Sequence, residues 1–204
     1  LQILGDDLVD IKLASIESVQ VGDYVVAIGN PFGIGQTVTS GIVSALGRAG
    51  LNNQNYEDFI QTDASINVGN SGGALVDLEG RLIGINTAII SGNGGGSNGI
   101  GFAVPSDMVA RVIEHFQRDV EVRRGILGVT ITTATPEITA SLDVDLREGA
   151  IVTSVLPDSA AELAGVQVSD IIIEIDGRRT NNSRELRNTV GLMRQGKEVN
   201  LVLY

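Results

Sequence analysis

Ser71 stands between glycines in Gly69-Asn70-Ser71-Gly72-Gly73. A serine hydroxyl is a weak nucleophile at neutral pH. It attacks a carbonyl usefully when a base takes its proton and backbone N–H groups stabilise the resulting oxyanion. Glycines suit the second task, because they accept the positive φ angles that converge N–H groups and let a peptide carbonyl come close. The same five residues also fit a structural turn, and by themselves they do not decide between the two. They match G-x-S-x-G, the nucleophile elbow of α/β-hydrolases, which requires a strand before the serine and a helix after it. Here "ALVDLEGRLIGIN" follows, with alternating apolar residues and a break at Glu79-Gly80, and this predicts a β-hairpin. The elbow reading fails on context.

The base would ordinarily be a histidine oriented by a carboxylate. The sequence contains one histidine, His115, in "SDMVARVIEHFQRD". That segment predicts a helix with Ser106 as N-cap and an apolar stripe of Met108, Val109, Val112, Ile113 and Phe116. His115 lies beside the stripe, flanked by Glu114, and reads as a partly exposed residue of the helix surface. It also follows the serine, whereas in the chymotrypsin order the histidine and aspartate precede it. Asp63, in "QTDAS", reads as a structural residue bonding within its loop.

Composition limits the alternatives. The 204 residues, 43% of them hydrophobic, can fill one or two cores, and with 3% aromatics and no Trp those cores must be aliphatic. Twenty-six glycines without a fixed period favour many tight turns and a β-rich architecture. A net charge of -11 argues against nucleic acid as a partner. The absence of cysteine excludes disulfides, thiolate catalysis and cysteine-ligated zinc. No apolar run approaches a membrane span, and neither a phosphate-binding loop nor a metal-ligand cluster is present, so no cofactor is implied. The chain opens without methionine and closes inside "EVNLVLY", so it reads as a piece of a longer protein.

From Val21 to Asn86 the pattern is strand, turn, strand, with "GLNNQNYED" and "SGNGGGSNG" as polar and glycine-rich loops. After the helix, the charged "QRDVEVRR" marks the boundary between two modules. The second predicts six short strands, a helix in "PEITASL", and a helix in "DSAAELAG" ended by Gly165. A hairpin turns at Asp176-Gly177, and a last helix starts at Asn182 or Ser183 with Glu185 completing a capping box.

The quoted Ser71 segment, with "DYVVAIGNPFGIGQTVTSGIVSALGR", "GRLIGINTAI" and "GIGFAVPSDMV", resembles the HtrA/Deg family of serine endoproteases. The downstream "RRGILGV…GAIVTSVLPDSAAELAGVQVSDIIIEIDG" is similar to the PDZ domain that follows the protease in that family. The resemblance covers essentially the whole chain and is greatest to the periplasmic DegQ/DegP branch. It implies a mainly β fold with some α: a chymotrypsin-like double β-barrel protease, its second barrel present and its first largely missing, followed by a PDZ domain. The implied parts are the protease portion over 1–118, a linker over 119–123 and the PDZ domain over 124–204. Ser71 would be the nucleophile, the N–H groups of Gly69 and Ser71 the oxyanion hole, and Asn67 to Asn70 a loop that rearranges for activity. Substrate would pair along Thr87, Ala88 and Ile89, with Ile66 and Ile89 lining a small apolar pocket. The catalytic His and Asp lie upstream of "VGDYVVAIGNPFG" in the family. Asp6, Asp7 and Asp10 therefore read as acidic loop residues, and the triad partners are expected outside this sequence.

A PDZ domain adds an extended peptide to its sheet edge and holds the terminal carboxylate in a nest of amides. Ile126, Leu127, Gly128 and Val129 match that loop. Leu186, Val190 and Met193 belong either to the groove wall or to the core. The resemblance implies an ATP-independent periplasmic endopeptidase of protein quality control, without cofactor. It would act on unfolded polypeptides and C-terminal peptides and assemble through trimers. Two other readings stand beside it: a holdase chaperone with a silent protease half, and a regulatory sensor protease with one narrow substrate.

Overall fold

The computed structural model describes residues 7–50, 56–89, 96–119, 124–141 and 144–204, and for residues 88, 89, 119 and 141 the backbone alone. Asp6, much of the two glycine- and asparagine-rich loops (51–55 and 90–95) and residues 120–123 of the expected linker fall outside that range. Contacts divide the chain into one unit of Leu1–Asn53 and Glu57–Ile113 and a second of Gln54–Tyr56 and Glu114–Tyr204.

In the first unit, β1 (Tyr24–Gly29), β2 (Thr37–Arg48), β3 (Phe59–Thr62), β4 (Ala74–Val76), β5 (Leu82–Ile89) and β6 (Gly101–Pro105) close a barrel in the order β1-β2-β3-β6-β5-β4. Alternation drives it. Val25 and Ala27 of β1, Ile60 of β3 and Leu75 of β4 point inward with Val43 and Ile83, and all are essentially buried. The expected hairpin is present: Asp77 and Arg81 pair across the turn, and Gly80, at φ 74, supplies the left-handed residue. A helix, α1 (Ser106–Asp119), follows β6.

Two expectations for α1 are corrected. Ser106 does not cap the helix; it is the first helical residue, fully buried, and its hydroxyl donates to the Ala14 carbonyl at 2.8 Å. His115 is buried at 8% exposure, while Ile113 and Phe116 of the supposed inner stripe are 46% and 54% exposed. The buried histidine has a polar partner: Nε2 lies 3.3 Å from the Leu192 carbonyl.

Among the described residues the second unit holds five strands, where six were expected. They are β7 (Val129–Thr133), β8 (Ala150–Val155), β9 (Ile171–Ile175), β10 (Arg178–Arg179) and β11 (Leu201–Leu203). The sheet runs β10-β9-β8-β7, with β11 also paired to β9, so β7 is an edge strand. Three helices join them: α2 (Pro136–Ser141), α3 (Ala160–Leu163) and α4 (Ser183–Gly191). Ala150, Val152 and Ile172 face one cluster with Leu186 and Val190, whereas Ile151 and Ile171 face another with Ala134. Burial on both faces explains why Ile171, Ile172 and Ile173 run consecutively rather than alternating with polar residues.

Candidate functional site

The loop between β3 and β4 carries Ser71. Two successive turns fold it, through Asn70 N–H to the Asn67 carbonyl at 3.0 Å and Gly73 N–H to the Asn70 carbonyl at 2.9 Å. Main-chain bonds then tie it to its surroundings. Phe32 N–H donates to the Val68 carbonyl, Gly72 N–H to that of Asn86, and Asn86 N–H to that of Gly73. Two buried amides brace the loop from behind. Asn86, 0% exposed, donates Nδ2 to the carbonyls of Ile28 (3.3 Å) and Ala74 (3.1 Å), and Asn70 reaches the Ser65 carbonyl. Sequence reasoning passed over Asn86, although a polar residue inside the apolar run "LIGIN" was the available signal.

Ser71 itself is exposed, and its hydroxyl donates to the Thr87 carbonyl at 3.1 Å. That carbonyl is available because the β5–β6 register shifts between Asn86 and Ala88, leaving Thr87 without a partner in β6. Gly69 has φ 102, and a Cβ there would collide with the Asn30 carbonyl oxygen and lie 2.9 Å from Phe32 N. Because the peptide is planar and trans, the Val68 carbonyl that accepts from Phe32 forces the Gly69 N–H the opposite way. Neither the Gly69 nor the Ser71 N–H donates to another described residue. Both donors therefore remain without a described acceptor, while the hydroxyl is engaged by the Thr87 carbonyl.

Ile66 is 1% exposed and packs in the barrel core, its Cδ1 2.8 Å from where Gly101 would carry a Cβ. Thr87 is half-buried; the side chains of Ala88 and Ile89 lie outside the described residues. The Asp63 carboxylate accepts the Ile42 N–H of β2 at 2.7 Å, so it ties its loop to a strand rather than bonding within the loop. His115 belongs to the second unit and is engaged with Leu192.

The second unit presents a groove of about 250 Å³ between β7 and α4. Ile126, Leu127, Gly128, Val129, Leu186 and Val190 line it together with Arg187. Leu186 and Val190 also belong to the buried core, so they serve both roles left open above. Met193 packs against that core without lining the groove. At one end, Gly128 has φ 84, its Cα so close to Ser159 that a Cβ would overlap that side chain. The loop is pinned through its carbonyls: Leu127 accepts from Ala161 N–H and Gly128 from Leu156 N–H. The N–H groups of Ile126, Leu127 and Gly128 donate to no other described residue. Capping orients α4: Asn182 accepts from Glu185 N–H at 2.9 Å, and Glu185 returns to Asn181 N–H and to the Asn182 amide.

Among the described residues no helix is long and apolar enough to cross a membrane. Residues 1–85 match the trypsin-like peptidase domain family and residues 117–204 the PDZ domain family. The chain is 50% identical over 208 residues to the periplasmic serine endoprotease DegP of Escherichia coli (strain K12), covering 97% of this chain and 44% of that protein. It is 50% identical over 196 residues to the periplasmic pH-dependent serine endoprotease DegQ of the same strain, covering 96% and 43%. The chain thus spans less than half the length of these two relatives. Among solved structures, the HtrA-type protease AlgW with tripeptide superposes with a TM-score of 0.81 at 45% identity, covering all of this chain and 67% of that one.

Proposed function

The chain belongs to the HtrA/Deg family of serine proteases, and from that premise we propose that it is part of an ATP-independent serine endopeptidase. The enzyme degrades unfolded proteins in the periplasm, the compartment in its relatives' names. In this reading residues 1–118 form the protease portion and 124–204 the peptide-binding PDZ portion. Ser71 attacks the scissile carbonyl, and the Gly69 and Ser71 N–H groups receive the oxyanion, which such donors stabilise where the charge develops. Substrate backbone pairs along Thr87, Ala88 and Ile89, and Ile66 sets the apolar character of the neighbouring pocket. A base from outside these 204 residues takes the Ser71 proton, since His115 is held at the Leu192 carbonyl. Released by that base, the Ser71 hydroxyl exchanges its bond to Thr87 for attack on the substrate.

The observation that carries the reading is an exposed serine beside two uncommitted N–H groups, in a loop where Gly69 admits no side chain. The groove between β7 and α4 binds C-terminal peptides through Ile126 to Val129, and the assembly is a homo-oligomer built on trimers. The test is Ser71→Ala in the full-length polypeptide, with denatured casein as substrate. Hydrolysis should vanish while binding of the casein persists. Hydrolysis that survives the substitution would remove Ser71 from the mechanism.

A further inference from the structure

The groove contains a second recognition element, and its argument rests on the peptide-binding reading just given. The direction of α4 is fixed at both ends. Its C-terminal end lies at the loop, where Gly125 N–H donates to the Met193 carbonyl and the Gly125 Cα abuts the Val190 carbonyl. Its N-terminal end lies at the far end of β7, where the Ser183 and Thr133 hydroxyls are 2.9 Å apart. The helix therefore runs antiparallel to β7. Moving away from the loop along the groove, one passes Val190, then Arg187 with Leu186, then Ser183.

A peptide strand added to β7 with its terminus at Ile126–Gly128 sends its last and third-from-last side chains toward the same face. Those two positions are separated by about 6.6 Å along the strand. The step from Val190 back to Arg187 covers about 4.5 Å of helix axis, and that to Leu186 about 6 Å. The last side chain thus meets Val190 and the third-from-last meets Arg187 over Leu186. Among the described residues Arg187 is the one charged residue lining the groove; it is exposed and makes no ion pair or hydrogen bond with a described residue. An uncommitted guanidinium on an apolar wall favours a carboxylate opposite it.

We infer that Arg187 is a specificity-determining residue, selecting C-terminal peptides with Asp or Glu third from the end and an aliphatic residue at the end. The single residue between them is left to solvent, because alternate side chains of the added strand face away from α4. A chain end of this kind would be preferred over one carrying Lys or Arg at that position. The pair is solvent-exposed, so its contribution is modest and falls with added salt.

The test is titration of the 204-residue chain with matched peptides ending Asp-Ser-Val, Asn-Ser-Val and Lys-Ser-Val, each as free acid and as amide. At low salt the Asp peptide should bind about two- to fivefold more tightly than the Asn peptide, and the Lys peptide more weakly than either. Arg187→Gln should erase the ranking and Arg187→Glu should invert it, with the unaltered thermal transition reporting an intact fold. Equal affinity of the Asp and Asn acids for the unmodified chain, or a ranking that survives Arg187→Gln, overturns the assignment of Arg187. Equal affinity of acid and amide forms overturns the end-binding reading of the groove, and with it the register on which this inference depends.

Discussion

The loop at Ser71 and the loop at Gly128 use the same device in unrelated folds. Each places a glycine at positive φ, 102° for Gly69 and 84° for Gly128, and each leaves neighbouring N–H groups without a described acceptor. Each also presses that glycine against something that excludes a Cβ. The obstacle differs. Gly69 meets main-chain atoms of Asn30, Pro31 and Phe32, which move only if the barrel moves, whereas Gly128 meets the side chain of Ser159 at the start of α3. The first loop is braced by the barrel itself, through Asn86, whose side chain bonds β1 and β4 and whose main chain bonds the loop at Gly72 and Gly73. The second is braced by two carbonyl contacts to Leu156 and Ala161. A site that must hold developing charge in one place is built against backbone, and a site that must accept varied peptides is built against a side chain that can shift.

The largest expected effect separates steric exclusion from backbone angle within the first loop. In the full-length polypeptide, Gly69→Val should lower turnover of a peptide substrate by about 10²–10³, the usual cost of losing one oxyanion donor. Gly72 has φ 85 but open space where its Cβ would lie. Gly72→Ala should therefore cost about 1 kcal/mol of stability from the left-handed backbone alone and leave turnover nearly intact. If both substitutions lower turnover alike, backbone angle and not the Asn30 contact controls the site.

The second prediction crosses to the other loop. Gly128→Ala should weaken binding of a free C-terminal peptide by about ten- to hundredfold, the loss of one charge-assisted hydrogen bond. Hydrolysis of a short peptide substrate too small to engage the groove should be unchanged. A fall in that turnover comparable to the Gly69→Val effect would show that the two loops are not independent devices.

The two units also differed in how much their sequences disclosed. The second was legible because its signals are local. Asp176-Gly177 predicted a two-residue turn, and its φ values of 48° and 79° fit one with both central residues left-handed. Gly165 predicted the end of α3, which closes through the Gly165 N–H to the Glu162 carbonyl and the Val166 N–H to that of Ala161. In the first unit the decisive contacts are distant in sequence. Ser106 is suited to capping, yet its hydroxyl meets Ala14, 92 positions earlier, and no local pattern encodes that. His115 is the exception within the second unit: it reads as a surface residue because its carbonyl partner lies 77 positions away. Asn86 and Arg187 escaped for a related reason: each sits where an apolar residue would satisfy the periodicity, and its role emerges only when the strands and helix around it are placed.

The smallest expected effect tests whether that local legibility extends to stability. Asp176 opens the β9–β10 turn, and its carboxylate bonds Lys197 and the Asn200 N–H, 21 and 24 positions away. The Lys197 contact, with the Asn200 N–H second, holds the carboxyl below its ordinary value of 3.8. A carboxyl depressed in the folded state stabilises the fold above its unfolded value, and that contribution fades as pH falls through the lowered folded value. Asp176→Asn keeps a residue that tolerates the left-handed angle and an oxygen able to accept from Asn200, so it removes the charge and little else. Urea unfolding followed through β9 and β11 amide signals should show the variant less stable at neutral pH, with the gap to the unmodified chain closing as pH falls below 3.8 and through the lowered folded value. Added salt at neutral pH should narrow the same gap, because the pair with Lys197 is partly exposed. A gap that stays constant across both titrations would place the contribution of Asp176 in the turn geometry that the sequence already predicts, and would leave its two long-range bonds without measurable weight.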